Sequence, residues 1–388
     1  MAHTSGAASI SRHVIVQVDG KHGSDLATQD DALEQSLFAP QPGQTPYDLE
    51  YHQLNLWPTG VDLPKPWSSV PEDLRRRTHG ILTLKMRMTA EDVALFPNLK
   101  VYVGVSSLQQ HYVDATTDSK NSIVRMGVGY DRLDRVALAK HNVTVCNVPD
   151  YGTSEIADHA MGLVLSLRRG ILLHHERQRA TPPASWNYIN SPLVARLQNK
   201  TFGIFGLGRI GTAVALRAKA FGFNVLFYDP YLPNGVDKSL ALERTKDARD
   251  LFRRSEVLSL HAPCTRETRG MVGYDLLSLL PRGAVLVNTA RGEIVDLDGV
   301  QRCLQEGILA GAGLDVLPEE PIPEDNVHPL IQAYRAKEPW LEGRMVITCH
   351  TAFYSPESFV DIRVKSAETM RSMLIDGIAS NVILPEME

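Results

Sequence analysis

The spacing of hydrophobic positions changes from segment to segment, and those changes predict the elements. His13-Val-Ile-Val-Gln-Val is short, β-branched and followed by Asp19-Gly20, which predicts a strand and a turn. Residues 80–84, 100–105 and 121–126 predict further strands, whereas 40–72, rich in proline and polar side chains, predict a long irregular excursion. From Ser154 to Arg169 apolar residues fall at 156, 160, 163, 164 and 167, one stripe of a helix. Thr153 or Ser154 is expected to cap it, with Glu155 and Asp158 in its first turn, and Thr181-Pro-Pro-Ala-Ser breaks the pattern. From residue 201 the pattern alternates. Strands are predicted at 201–205, 224–228, 257–261, 284–288 and 310–316, with helices near 210–221, 247–253, 274–280 and 297–306. Such alternation calls for an α/β fold, a parallel sheet covered by helices on both faces. There is no internal repeat and no low-complexity tract.

Composition narrows the class. The chain has 388 residues, 43% hydrophobic and 22% charged, which excludes intrinsic disorder and predicts about two domains. Forty Lys and Arg against 45 Asp and Glu give a net charge of −5, so no overall field favours direct nucleic-acid binding. No apolar run approaches the ~20 residues of a membrane-spanning helix. Met1-Ala-His-Thr-Ser-Gly-Ala has neither the basic start nor the apolar stretch of a signal peptide. Four scattered cysteines predict neither a disulfide framework nor a metal site, and reduced thiols fit a cytoplasmic protein, or a nuclear one.

The candidate chemistry begins at the predicted strand 201–205, which runs into Gly206-Leu207-Gly208-Arg209-Ile210-Gly211 and then into the strong helix former Thr-Ala-Val-Ala-Leu-Arg-Ala-Lys-Ala. In a GxGxxG loop the first glycine permits the tight turn, the second admits a pyrophosphate, and the third lets helix and strand pack closely. The helix amino terminus then offers free N–H groups to the phosphates. Asp229 ends the next predicted strand, 23 residues after Gly206, the spacing at which a carboxylate meets the adenosine ribose hydroxyls. A carboxylate there repels a 2′-phosphate, so NAD(H) is favoured over NADP(H). The alternative is an ordinary α/β turn with a surface aspartate.

Three later residues follow consecutive predicted strands: Arg291 in Asn288-Thr-Ala-Arg-Gly after 284–288, Glu320 between Pro318 and Pro321 after 310–316, and His350 after a further strand in Val346-Ile-Thr-Cys. Open α/β sheets bind ligands at such carboxyl ends. Reducing a 2-oxo acid needs a hydride, a proton for the developing alkoxide, and a cation for the carboxylate and ketone. Histidine suits the proton transfer, a carboxylate on its other nitrogen orients the ring, and arginine matches a carboxylate with a planar fork. Singly, each has a plainer explanation in a surface ion pair, a solvated turn or a structural histidine. Their order after the glycine loop carries the catalytic one.

Taken together, Gly127-Val-Gly-Tyr-Asp-Arg-Leu-Asp, Asn147-Val-Pro-Asp-Tyr-Gly-Thr-Ser-Glu-Ile-Ala-Asp-His-Ala, the Gly206 loop, Asn288-Thr-Ala-Arg-Gly, Gly313-Leu-Asp-Val and Cys349-His350 resemble the D-isomer-specific 2-hydroxyacid dehydrogenases over roughly residues 75–375. Within that family, residues 215–231, 123–131 and Phe353-Tyr-Ser are similar to the C-terminal-binding protein branch, the dehydrogenase-fold transcriptional corepressors.

The resemblance implies two doubly wound parallel-sheet domains with a cleft between them, closing by a hinge. Residues 1–150 with 353–388 would form the substrate domain and 151–352 the NAD-binding domain. It further implies that His350 is the acid/base, Glu320 its partner, and Arg291 the ligand of the substrate's carboxylate and carbonyl. Arg125 and the backbone at Val128 and Gly129 would meet the carboxylate. Tyr151 and Phe353 would help bound a pocket for a medium-sized or aromatic side chain. Asp315 would hold the nicotinamide carboxamide. Thr289, Ala290 and the loop His261, Ala262, Pro263, Cys264, Thr265 would line the cofactor site. A homodimer is implied too.

The function expected is NAD-dependent interconversion of a 2-oxo acid and a D-2-hydroxy acid. An NAD(H)-sensing corepressor-like scaffold is the alternative. The sequence departs from the family pattern at Cys349, Phe353 and Arg132, and in apparent insertions between Lys100 and Asn121 and over 328–344. The second insertion reads as a surface elaboration, with a cleft cover or a subunit contact as its other readings.

Overall fold

A computed structural model describes residues 11–18, 32–40, 47–56, 63–83, 86, 88–104, 122–131, 133, 135–140 and 142–385. Arg132 and most of the insertion between Lys100 and Asn121 lie outside them. The chain divides into two compact units, Met1–Tyr151 with Pro356–Glu388, and Gly152–Ser355. Tyr151 therefore falls in the first unit and Phe353 in the second.

The first unit holds a six-stranded parallel sheet built from β1 (Ser11–Gln17), β2 (Tyr47–Gln53), β3 (Gly80–Leu82), β4 (Val101–Gly104), β5 (Ser122–Arg125) and β6 (Thr144–Asn147), in the order β2-β1-β3-β4-β5-β6. Alternate residues supply two cores. Val14, Val16, Ile81 and Ile123 face one side, and Ile15, Leu82, Val103 and Val124 face the other. The helix Pro356–Arg371 buries Ile362, Ala367 and Met370 in the second core. There the Arg363 guanidinium donates to both oxygens of Glu34, at 2.7 and 2.6 Å, with both side chains buried. Burial of these charges is tolerable because each is paired and hydrogen-bonded.

β2 corrects the expectation of an irregular 40–72. Tyr47-Asp-Leu-Glu-Tyr-His-Gln pairs with β1 along all seven residues. As an edge strand it is half exposed and carries Asp48 and Glu50, so it lacks the apolar run that marks a buried strand.

The second unit holds seven parallel strands: β7 (Thr201–Phe205), β8 (Asn224–Tyr228), β9 (Glu243–Arg244), β10 (Val257–Leu260), β11 (Ala284–Asn288), β12 (Leu309–Leu314) and β13 (Met345–Ile347). Their order is β13-β12-β11-β10-β7-β8-β9, a doubly wound sheet whose direction of growth reverses at β7. Phe202, Ile204, Val285 and Val287 pack beneath the helices Thr153–Arg168 and Arg209–Ala220. Phe205, Leu258, Leu260 and Leu286 pack against the helices on the opposite face.

Local expectations fail where tertiary contacts intervene. The helix Thr153–Arg168 starts after Gly152 with no side-chain cap, so neither Thr153 nor Ser154 caps it; the Thr153 hydroxyl is buried without a partner. Asp158 lies beyond the first turn and accepts from Arg217 Nε at 2.6 Å. The insertion over 328–344 is more than a surface elaboration. It forms a helix, Pro329–Arg335, whose Leu330 and Ile331 are buried in the unit's core together with Leu341. The Arg344 guanidinium then donates to the carbonyls of Leu304, Leu309, Ala310 and Trp340.

Candidate functional site

Six adjacent strands of the second unit deliver the candidate residues to one edge of its sheet. The glycine loop follows β7, Asp229 follows β8, and His261 follows β10. Arg291, Glu320 and His350 follow β11, β12 and β13. Because every strand is parallel, all of these loops leave at carboxyl ends.

The glycine loop is shaped by close approaches. Gly206 has φ +90°, and a Cβ there would lie 2.7 Å from the backbone nitrogen of Ala262. A Cβ on Gly211 would lie 2.2 Å from the Gly206 carbonyl oxygen, so the helix can begin this close to the strand only with glycine. Nothing lies within 4 Å of the Cβ position of Gly208, and the helix Arg209–Ala220 starts there without a side-chain cap. Asp229 ties the loop to β8, its carboxylate accepting from the backbone N–H of Leu207 at 2.9 Å and of Tyr231 at 3.0 Å.

Two buried polar atoms at the same edge, Thr289 Oγ1 and His261 Nδ1, have no partner. A desolvated, unsatisfied polar atom is costly, so each calls for a ligand or a water. Burial pushes the His261 imidazole down to about 3, so it is neutral, and its Nε2 meets Ser259 Oγ at 2.8 Å. An open glycine, an uncapped helix terminus, a ribose-length carboxylate and two orphaned polar atoms fit a dinucleotide.

At the other end of this edge the structure brings two expected residues into contact. His350 Nδ1 lies 2.6 Å from Glu320 Oε2, and Glu320 Oε1 accepts the N–H of Leu317 at 2.8 Å. Thirty residues separate the pair in sequence. Arg291 is half-buried, and its Nη1 donates to the Ala290 carbonyl at 2.8 Å. Asn288 sets this turn, donating to the Arg291 carbonyl and accepting from the Ala290 N–H. Gly292 brings the turn against the next loop: a Cβ there would fall 1.9 Å from the carbonyl carbon of Leu317. Phe353 packs edge-on to His350, with ring centroids 6.4 Å apart.

Asp315 is buried and engaged within the protein. Its Oδ1 accepts from Thr348 Oγ1 at 2.5 Å and from Thr351 N–H at 2.9 Å; its Oδ2 accepts from Ala352 N–H at 3.1 Å. Its main-chain oxygen takes the N–H of His350 at 2.7 Å. These bonds hold His350 at φ +54°, a left-handed conformation that costs a residue with a β-carbon roughly 1–3 kcal/mol. His159, Thr348 and Gly292 were not singled out from the sequence. The available signals were a polar residue among the buried positions 156, 160 and 163, and a glycine directly after the candidate arginine.

The first unit gathers its own candidates at the carboxyl edge of its sheet. Arg125 ends β5 and donates to the Met126 carbonyl. Val128 and Gly129 follow, with the Val128 carbonyl accepting from Asn147 Nδ2 at 2.7 Å, and Tyr151 follows β6.

The second unit is thus a dinucleotide-binding α/β domain. Residues 161–352 match the family model for the D-isomer specific 2-hydroxyacid dehydrogenase NAD binding domain. The chain is 35% identical over 264 residues to a glyoxylate reductase of Korarchaeum cryptofilum, covering 67% of this chain and 71% of that protein. It is 34% identical over 261 residues to a D-3-phosphoglycerate dehydrogenase of Methanocaldococcus jannaschii, covering 67% of this chain and only 47%, about half, of that protein. Among solved structures, D-lactate dehydrogenase from Aquifex aeolicus, complexed with NAD and lactic acid, matches with a TM-score of 0.66 at 25% identity, over 97% of this chain and all of that one. The protein belongs to the D-isomer-specific 2-hydroxyacid dehydrogenase family, and NAD(H) is the cofactor its second unit fits.

Proposed function

We propose that the protein interconverts a 2-oxo acid and its D-2-hydroxy acid with NAD(H), using His350 as the acid/base. The observation that carries this is the 2.6 Å contact between His350 Nδ1 and Glu320 Oε2. The carboxylate accepts the Nδ1 proton, which orients the ring and leaves Nε2 to exchange a proton with substrate. When bound, the reduced nicotinamide supplies the hydride, two electrons and one hydrogen, to the carbonyl carbon. His350 Nε2–H then gives its proton to the alkoxide oxygen, and in the reverse direction Nε2 takes it back. Arg291 offers the planar cation that holds the carboxylate and polarises the ketone.

On the cofactor side, Gly208 and the first turn after it would receive the pyrophosphate, and Asp229 the ribose hydroxyls. Ala262, Pro263, Thr265 and Ala290 would line the site beside His261 and Thr289. Asp315 would take the nicotinamide carboxamide on the one acceptor position left by its three bonds.

The test is NADH oxidation against a panel of 2-oxo acids, from glyoxylate to aromatic ones. Turnover of one or more, with NADPH much poorer, is the expected result. Oxidation of none would favour the nucleotide-sensing scaffold, and equal turnover of glyoxylate and bulky acids would remove the shaped pocket bounded by Phe353.

A further inference from the structure

His159, on the helix Thr153–Arg168, places Nε2 3.0 Å from Thr348 Oγ1 and 3.7 Å from Asp315 Oδ1. Thr348 Oγ1 lies 2.5 Å from the same carboxylate oxygen. A carboxylate oxygen can only accept, so the single hydroxyl proton of Thr348 goes to Asp315. Only lone pairs of Thr348 then remain for His159, and its Nε2 must carry a proton. The chain has one direction: His159 Nε2–H to Thr348, then Thr348 O–H to Asp315. Beyond it, the Asp315 carboxylate accepts the N–H groups of Thr351 and Ala352, the two residues directly after His350, while the main-chain oxygen of Asp315 accepts that of His350 itself.

We propose that His159 and Thr348 are positioning residues, acting through Asp315 to hold His350 in the left-handed conformation from which it meets Glu320. A buried carboxylate accepting several hydrogen bonds is fixed only as well as its donors are. Two of the groups around Asp315 Oδ1 come from this relay. The helix Thr153–Arg168 is thereby coupled to the reacting imidazole, although His159 acts only through Thr348 and Asp315. The proposal rests on the assignment of His350 as the acid/base.

Two pairs of variants test it. Thr348→Val removes the hydroxyl at nearly constant shape, and Thr348→Ser keeps it. His159→Ala removes the donor, and His159→Gln keeps an N–H at the reach of Nε2. Loss of the hydrogen bond to the Asp315 carboxylate predicts that T348V lowers kcat about tenfold, and loss of the bond to the neutral Thr348 hydroxyl that H159A lowers it several-fold, with the KM of the 2-oxo acid within about twofold, while T348S and H159Q recover most of the loss.

A second measurement needs no substrate. The short His350–Glu320 bond should give a downfield Nδ1–H proton resonance, absent in His350→Ala. It should persist in T348S and H159Q and broaden or vanish in T348V and H159A. Wild-type turnover and an unchanged resonance in T348V and H159A would overturn the proposal. So would equal impairment of H159Q and H159A, which would mark a packing role. If the wild type reduces no 2-oxo acid, the functional assignment fails, and the resonance still decides whether the relay holds His350.

Discussion

At the scale of single residues, His350 and Asp229 are each restrained by the atoms they use. His350 is held by Glu320 at one ring nitrogen and by Asp315 at its backbone. Under the proposed function, its replacement by alanine removes proton transfer and leaves the glycine loop intact. Turnover of His350→Ala is expected to fall by roughly 10²–10⁴-fold, with NADH affinity nearly unchanged in a fluorescence titration. Asp229 differs because it does two things. It joins Leu207 to Tyr231, and under the proposed function it also takes the ribose hydroxyls. Asp229→Ala should therefore loosen the loop as well as lose a ligand. Bonds to a carboxylate are worth about 1.5–3 kcal/mol, so NADH affinity should drop about 10- to 100-fold. Discrimination against NADPH should shrink with it, and an unchanged preference would show that the ribose site lies elsewhere.

At the scale of elements, the site depends on how closely two loops approach. Gly292 allows the Arg291 turn to lie against the backbone that leads to Glu320, and a methyl group there meets the Leu317 carbonyl carbon at 1.9 Å. Gly292→Ala should cost about 1–3 kcal/mol in urea unfolding and depress turnover further, because the displaced segment carries Glu320. Gly162, inside the helix Thr153–Arg168 with nothing within 4 Å of its Cβ position, is the counter-case; alanine there should stabilise by up to about 1 kcal/mol. The same contrast explains what was legible in the sequence. β7, β8 and β11 lie at the predicted positions because strands covered on both faces are continuous apolar runs. β2 was hidden by its charged edge positions. The helix Pro329–Arg335 was hidden because proline at its start resembles a break and only Leu330 and Ile331 mark its buried face. Glu320 and His350 could be read as residue types following strands. The contact between His159 and Thr348 spans 189 residues and has no local signature at all.

At the scale of the whole molecule, each unit has its own parallel sheet and its own pair of cores, and every expected cofactor ligand belongs to Gly152–Ser355. A ligand that binds only the native state stabilises it by RT ln(1 + [L]/Kd), about 2.7 kcal/mol at a hundredfold excess over Kd. For a unit of about 200 residues, that predicts a Tm rise of roughly 5–10 °C. The location of the gain is the sharper prediction. Hydrogen exchange with and without NADH should slow at the β7 and β10 amides, whose carboxyl ends carry the glycine loop and His261. At the same NADH concentration the gain should fall to about 0.4–1.4 kcal/mol in Asp229→Ala. Slowing confined to β1 through β6, with β7 and β10 unaffected, would place the nucleotide in the wrong unit and leave the orphaned Thr289 and His261 atoms to be satisfied by water.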